Sequence, residues 1–292
     1  MVEAAQAASG DAAASGDVAL DRFRDELRRL ERVVVAFSGG ADSAFVAWVA
    51  TDTLGFDRVL CATAVSPSLA PEELADCRAL AAEWGLRHVE VETTELADPA
   101  YSANDGSRCY HCKTSLLDAL GPLADTEGSH VVLGVNMDDL GDHRPGQQAA
   151  AERGALFPLV TAGMTKGEVR AWSRELGLRT WDKPAAACLS SRVPYGTPVT
   201  FGVLQSVADA ESGLRALGFR QLRVRHYGDT ARIEVPDSDL AAVVAQREAI
   251  SAAVHDAGYR YVTVDLDGFR SGNLNEALGI QRQALAVTGG GE

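Results

Sequence analysis

Apolar and polar positions change their period along this chain, and the changes mark its elements. Leu20, Phe23, Leu27 and Leu30 recur at helical spacing, with Asp17 or Asp21 available near the start. The apolar run from Val33 to Phe37 reads as a strand at 32–37; a glycine turn and a helix-like run from Ala44 to Thr51 follow. Arg58 to Val65 reads as a second strand. Pro71 to Trp84 reads as a helix, with proline in its first turn and Gly85 just past its end. Leu86 to Val91 and His130 to Val135 supply a third and a fourth strand. Thr165-Lys166-Gly167-Glu168 has the form of a capping box and opens a helix ending at Gly177. Strands separated by helices predict an α/β fold, a parallel sheet with helices on both faces. A ligand then belongs at the carboxyl ends of the strands.

The pattern shifts after about Thr200. A helix runs to Leu217 and stops at Gly218. Strand-like runs at Gln221 to His226 and Ala231 to Val235 are joined by Tyr227-Gly228-Asp229. A helix from about Ser238 to Ala257 and a last strand from Tyr259 to Leu266 complete a smaller α+β domain. The expected organisation is a tail at 1–18, an α/β domain at 19–184, a linker loop at 185–199, the α+β domain at 200–280 and a tail at 281–292. The linker reading rests on Pro184, Pro194, Gly196 and Pro198 in or beside it.

Composition narrows the setting. The 292 residues suffice for two domains, and 46% hydrophobic with 23% charged residues is an ordinary globular mix. A formal net charge of −14 favours solubility and repels nucleic acid, so no nucleic-acid partner is expected. The first 17 residues lack the basic start and apolar core of a secretory signal. No apolar run approaches the roughly 18 residues of a membrane span. The five cysteines, an odd count without an export signal, predict reduced thiols in the cytoplasm. Cys61 and Cys77 fall in apolar strand and helix patterns and read as core.

The candidate chemistry is concentrated in a few segments. Ser38-Gly39-Gly40-Ala41-Asp42-Ser43 joins a strand to a helix, which makes an anion cradle. Glycines let the backbone approach a phosphate, and the first helical N–H groups point at it. Ser38 and Ser43 add hydroxyls, and Asp42 suits a cation or a water. The absence of the lysine of G-x-x-x-x-G-K-[ST] excludes a Walker A loop. Gly134-Val135-Asn136-Met137-Asp138-Asp139 follows the fourth strand, where Gly134 and Asn136 suit a nucleotide and Asp138 and Asp139 suit Mg²⁺, or simply cap a helix. Cys188 stands in the linker near Arg192, a setting for a reactive thiolate as well as for a small buried hydrophobe. Cys109 and Cys112 form a C-x-x-C, short of a zinc site alone, but with Cys188 a set of three thiolates for an iron–sulfur cluster. Arg223 and Arg225 share one face of a strand by period two and suit carboxylate or phosphate, while Glu234 nearby can pair with them or take a metal.

SGGADS resembles the PP-loop of ATP pyrophosphatases, which cleave ATP to AMP and pyrophosphate and so adenylate a carbonyl oxygen or a carboxylate. With RCYHCK, GVNMDD, KPAAACLSSRVPYGTP, RVRHYGDTARIEV and YVTVDLDGFRSGNLNEA, the chain from Val33 to Ala277 resembles the LarE family, the ATP-dependent sulfur transferases of nickel-pincer cofactor synthesis. The resemblance implies that 19–184 is a PP-loop ATP-pyrophosphatase domain using ATP and Mg²⁺. It implies a small nucleotide substrate, pyridinium-3,5-biscarboxylic acid mononucleotide, anchored through its phosphate by Arg223 and Arg225. Cys188 matches the family's sulfur donor: its thiolate displaces AMP, and cleavage of its Cβ–S bond leaves a thiocarboxylate on the product and dehydroalanine in the chain. In some members three cysteines hold a [4Fe–4S] unit, which Cys109, Cys112 and Cys188 match. Enzymes of substrate synthesis and nickel insertion are the implied pathway partners, and a homo-oligomer is the expected assembly.

Other functions share parts of this signature. An NAD-synthase-like amide ligase uses a PP-loop but has no task for Cys188. A tRNA-thiolating enzyme wants a basic groove. A nucleotide-binding protein without chemistry needs neither the acidic loop nor the thiol.

Overall fold

The structure, a computed structural model, describes residues 18–141, 145–184 and 187–270. The tails expected at 1–18 and 281–292 lie outside these residues, except Val18, which opens the first helix. The chain divides into two units, one of residues 1–190 and 199–204 and one of 191–198 and 205–292.

In the first unit, strands β1 (Val33–Ala36), β2 (Val59–Val65), β3 (His88–Glu92) and β4 (His130–Val132) form a parallel sheet of order β3-β2-β1-β4. Around them run helices α1 (18–30), α2 (Ala41–Leu54), α3 (Pro71–Trp84), α4 (Pro99–Ser102), α5 (Arg108–Glu127), α6 (Pro145–Glu152), α7 (Pro158–Thr161) and α8 (Lys166–Glu175). Strand period two divides the core. Val33, Val35 and Cys61 pack with Phe23 and Leu27 of α1, Phe45 and Val49 of α2, Leu80 of α3 and Val169 of α8. Val34, Leu60 and Ala62 meet Leu120 and Ala124 of α5 on the other side. Helices therefore cover both faces, as the sequence predicts for a parallel sheet.

Some boundaries differ from expectation for local reasons. The fourth strand stops at Val132 rather than Val135, because Leu133 N turns to the carbonyl of Leu156 at 3.0 Å. Helix α5, 20 residues long, has no counterpart among the elements read from the sequence, and Pro122 lies inside it. Its buried stripe of Leu117, Leu120 and Ala124 keeps it continuous despite the missing N–H. Thr165 does cap α8, with both halves of the capping box formed.

The second unit contains most of α9 (Phe201–Ala216), then β5 (Arg223–Tyr227), β6 (Thr230–Glu234), α10 (Leu240–Ala245), α11 (Arg247–Asp256) and β7 (Tyr261–Val264). The sheet order is β5-β6-β7, antiparallel then parallel. The single helix expected from Ser238 to Ala257 is two, broken where Gln246 leaves helical geometry at φ −100°, ψ 17°. Val224, Ile233 and Ala231 join Leu214, Ile250 and Val254 in a second core. The alternate strand positions, Arg223, Arg225, Arg232 and Glu234, fall on the opposite sheet face by the same period.

The packing of α5 yields a test. Leu120 is fully buried against the sheet. Leu120→Ala should lower the unfolding free energy by about 2–5 kcal/mol in urea titration, and a loss under about 1 kcal/mol would show that this helix does not close the face.

Candidate active site

Strand β1 has neighbours on both sides, β2 reached through α2 and β4 reached by a longer path. The loops leaving β1 and β4 therefore diverge at a topological switch point, where open α/β sheets bind ligands. The loop after β1 is 38–43. Ser43 Oγ accepts from Ser38 N at 3.2 Å, lies 3.0 Å from Ser38 Oγ and donates to Gly40 O at 3.2 Å. Gly39 has φ +67°, and a Cβ there would meet Cys77 Sγ at 2.9 Å, so the loop rests directly on α3. No side chain caps α2, which leaves its first turn facing the loop as an anion seat.

The loop after β4 closes the other side. A Cβ on Gly134 would lie 2.8 Å from Ser43 N and 2.9 Å from the Asp42 carbonyl carbon, so only glycine lets this backbone touch the start of α2. Fully buried Asn136 donates from Nδ2 to Asp42 Oδ1 at 3.2 Å, and its N–H reaches Asp139 Oδ2 at 3.2 Å. Burial raises the Asp42 pKa and the Asp139 charge adds to this; Lys166, the Asn136 hydrogen bond and Arg170 oppose. Asp138 accepts from the Lys166 backbone N–H, which ties the loop to α8. The segment Met137–Gly141 is a 3₁₀ turn rather than the start of an α-helix. Among the described residues no three His, Cys, Asp or Glu side chains converge to hold a metal. Asp42 and Asp139 nonetheless suit Mg²⁺, which takes one or two carboxylates with the phosphates of its nucleotide.

Lys183, not singled out in the sequence, connects to this loop. Its Nζ donates to Gly39 O at 3.1 Å, Glu73 Oε2 at 2.8 Å and Asp76 Oδ2 at 2.7 Å. Burial pulls the ammonium pKa down, but the two carboxylates outweigh this and raise it. Burial likewise pushes Asp76 up, and the hydrogen bonds from Lys183 and Arg179 hold it below the usual carboxylate range.

Cys188 is exposed, and the residues just after it are pinned. Leu189 N donates to Ser68 O at 2.8 Å, and Ser190 O accepts from Arg108 Nη1 at 2.8 Å. Arg108 also bonds Asn104 and precedes Cys109 on the first turn of α5, so the C-x-x-C is brought to the same region. Burial pushes the Cys112 thiol up to about 12, and charges on Cys188, Glu95 and Cys109 push the same way. The three cysteines thus share an electrostatic neighbourhood. The neighbouring signal that would have placed the pair is Arg108, beside the first cysteine.

In the second unit, Arg223 and Arg225 do share a face. Arg225 is 2% exposed; its fork grips Glu234 at 3.0 and 2.9 Å, and its Nη1 donates to Ser191 O at 2.7 Å. Arg232 adds a bond to Glu234 at 3.0 Å. Of the two roles read for Glu234, pairing is the one formed, and its oxygens are taken up by arginines rather than turned to a metal. Arg192, read as a charge beside Cys188, has its own partner: Glu211 holds it at 2.8 and 3.0 Å and also accepts from Arg215 and Val224 N. Arg223 differs. Among the described residues it has no carboxylate partner, only Arg270 O at 3.4 Å and the Phe269 ring at 4.5 Å. Burial, then Arg225 and Arg192, lower its pKa to about 10. Such a cation gains from a bound anion.

The family described as NAD synthase matches residues 21–111. An uncharacterized protein of Synechocystis is 49% identical over 89% of this chain and 97% of its own length. The pyridinium-3,5-bisthiocarboxylic acid mononucleotide synthase of Lactiplantibacillus plantarum is 40% identical over 86% of this chain and 92% of its own. An uncharacterized protein of Methanocaldococcus jannaschii is 25% identical over 82% and 92%.

Lys183→Met should leave the fold intact but release Gly39 and set Glu73 and Asp76 against one another. Losing a charge-assisted hydrogen bond of about 1.5–3 kcal/mol should raise the dissociation constant of the nucleotide roughly ten- to a hundredfold in calorimetric titration. Unchanged affinity would show that the tie does not hold the loop in its binding form.

Proposed function

Because the chain belongs to the LarE family of ATP-dependent sulfur transferases, we propose that it adenylates a carboxylate of pyridinium-3,5-biscarboxylic acid mononucleotide and replaces AMP with the sulfur of Cys188. The observation that carries this reading is the tie from Lys183 to the nucleotide loop. Five residues of extended chain reach at most about 18 Å. An exposed thiol at 188 is therefore held within that distance of the residue touching Gly39.

The loop 38–43 and the first turn of α2 hold the phosphates, with Gly134 and Asn136 bracing them from the neighbouring loop. Asp42 and Asp139 would hold Mg²⁺, which would supply charge neutralisation on the phosphates. The substrate carboxylate attacks the α-phosphorus and pyrophosphate leaves. Asp138 supports that loop through α8. The Cys188 thiolate then attacks the acyl carbon and AMP departs. Loss of the Cα proton and cleavage of the Cβ–S bond release the thiocarboxylate. Arg223, with Arg225 behind it, is assigned to the substrate's phosphate.

A second reading is favoured by one observation, the shared neighbourhood of Cys109, Cys112 and Cys188. In it the three thiolates hold a [4Fe–4S] cluster that carries the transferable sulfide, after local closure of the segment. An amide ligase is disfavoured, since the NAD synthase match ends at residue 111 and leaves Cys188 without a role. Surface thiols at Cys109 and Cys188 suit a reducing compartment, which favours the cytoplasm. Among the described residues no helix is long and apolar enough to cross a membrane.

With ATP, Mg²⁺ and the biscarboxylate nucleotide, the protein should release AMP and pyrophosphate; ADP as the sole nucleotide product would refute adenylation. One turnover should lower the chain mass by that of H₂S, with the lesion at residue 188. Cys188→Ala should adenylate without transferring sulfur. A brown, anaerobically purified protein whose mass survives turnover, and whose activity is lost in Cys109→Ala, would establish the cluster reading instead.

Arg223→Ala should weaken substrate binding by about ten- to a hundredfold, for a charge-assisted bond of about 1.5–3 kcal/mol, with ATP affinity unchanged. Equal losses for both ligands would assign Arg223 to folding or to the nucleotide.

A further inference from the structure

Cys188 is exposed, whereas Leu189 and Ser190 after it are 1% and 0% exposed. Burial of Leu189 keeps this stretch close to the protein without orienting it. Orientation comes from polar contacts with three elements of the first unit. Leu189 N–H donates to the carbonyl of Ser68, in the segment after β2, at 2.8 Å. Ser190 Oγ lies 2.6 Å from Tyr101 Oη of α4 and 3.3 Å from Ser68 Oγ. Ser190 O accepts from Arg108 Nη1 of α5 at 2.8 Å. Contacts from three separate elements fix a direction as well as a position. A peptide plane carries that direction to the thiol. The Cα and carbonyl of Cys188 and the N–H of Leu189 lie in one plane. Holding the Leu189 N–H therefore sets where the Cα of Cys188 stands, and only ψ and χ1 of Cys188 separate the held plane from its sulfur.

The support behind these contacts is costly. Arg108 is 5% exposed and Asn104 is fully buried. Arg108 Nη1 donates to Asn104 Oδ1 as well as to Ser190 O, one N–H for each. Asn104 has φ +58°, in the left-handed region that few L side chains enter and asparagine enters most readily. Its N–H donates to Tyr101 O at 3.1 Å, so one residue both turns the chain after α4 and aims Arg108. Tyr101 is braced from behind: its hydroxyl lies 2.6 Å from Ser68 Oγ, which donates to Glu95 Oε1 at 3.1 Å, and all three residues are buried. A left-handed buried asparagine and a buried guanidinium both cost free energy where an apolar side chain would hold position alone. What they add is direction, because a planar guanidinium donates along fixed lines.

We propose that Arg108, aimed by Asn104, is a positioning residue for sulfur transfer: it holds the backbone at 189–190 so that the Cys188 sulfur faces the acyl adenylate. The proposal rests on the reading that Cys188 supplies the sulfur. Arg108 and Asn104 act through the backbone of Ser190 rather than on the substrate. Adenylation, in which Cys188 takes no part, does not depend on them. Capture of the adenylate does, because attack needs the sulfur within near-contact distance of the acyl carbon and in line with it. An adenylate left waiting by a misdirected thiol is open to water. Hydrolysis then returns the biscarboxylate and releases AMP with no thiocarboxylate formed.

The test separates the half-reactions in single turnovers of the full-length protein with MgATP and the biscarboxylate nucleotide. Pyrophosphate release reports adenylation, thiocarboxylate formation reports transfer, and the ratio of AMP to thiocarboxylate reports their coupling. Asn104→Gly keeps the left-handed turn and removes the amide that aims Arg108. Asn104→Asp keeps both the turn and an acceptor. Pyrophosphate release should stay within about twofold in both variants. Transfer in Asn104→Gly should fall by roughly 10²-fold, the scale of a misplacement of about 1 Å, and more AMP should appear per thiocarboxylate. Asn104→Asp should restore transfer and coupling together. Arg108→Lys keeps the charge but not the fork, so it should behave as Asn104→Gly does, and it serves if Asn104→Gly does not fold. Wild-type transfer and coupling in Asn104→Gly and Arg108→Lys would overturn the proposal. Equal loss of adenylation and transfer with unchanged coupling would overturn it too, by showing a structural role alone. Wild-type protein that forms no thiocarboxylate, or forms it without losing sulfur from residue 188, would instead refute the underlying reading, and the positioning role with it.

Discussion

The backbone contact between Gly134 and the first turn of α2 is the constraint on which the site depends. Parallel pairing of β1 with β4 brings two loops out of the sheet side by side, and only a residue without a Cβ lets them touch. The contact sets Asn136 against Asp42 and carries the acidic turn to the mouth of the anion seat. The remaining positions follow from it. Asp138 carries the register on to α8, and Lys183 fixes the opposite rim through Gly39 and α3. Buried strands on both faces give these loops a rigid base.

Charge in the second unit is arranged by the same economy of partners. Glu234 and Glu211 are fully buried, and each is surrounded by arginine forks. Buried pairs of this kind add little net stability over apolar packing, but breaking one is severe. Their effect is to fix guanidinium planes. Arg225 and Arg192 are spent on carboxylates, while Arg223 lies against Phe269 with its charge unmatched among the described residues. One face of a small sheet thus carries a guanidinium without a carboxylate partner among the described residues, in a protein of net charge −14.

Much of this could be read from the sequence because local rules agreed with the fold there. Valines before SGGADS, Pro71 and Gly85 around α3, and the Thr165 box each specify their element by backbone chemistry alone. The α/β class and the nucleotide loop follow directly. Long-range pairing was not legible. Nothing in the linker says that Arg192 turns to Glu211 or that Lys183 turns back to Gly39, because these partners are distant in sequence and of common types. Helix α5 was not read from the sequence; Pro122 lies inside it, and tertiary burial keeps it helical. Tyr101, Ser68 and Glu95 carry no motif; only the fold gathers them. Family resemblance supplied the substrate, which no spacing of residues contains.

The segment bearing Cys188 is moored at both ends. Lys183 holds one end to the nucleotide loop, and Arg108 with Ser68 holds the other at 189–190. Under the sulfur-transfer reading, a thiol tied on both sides meets a bound acyl group at an effective concentration set by tether length rather than by diffusion. On the same reading, lengthening the segment by a few flexible residues would dilute the thiol without touching a single contact described above. On that reading the distance between two moorings, as much as the chemistry of one thiol, sets the rate of transfer.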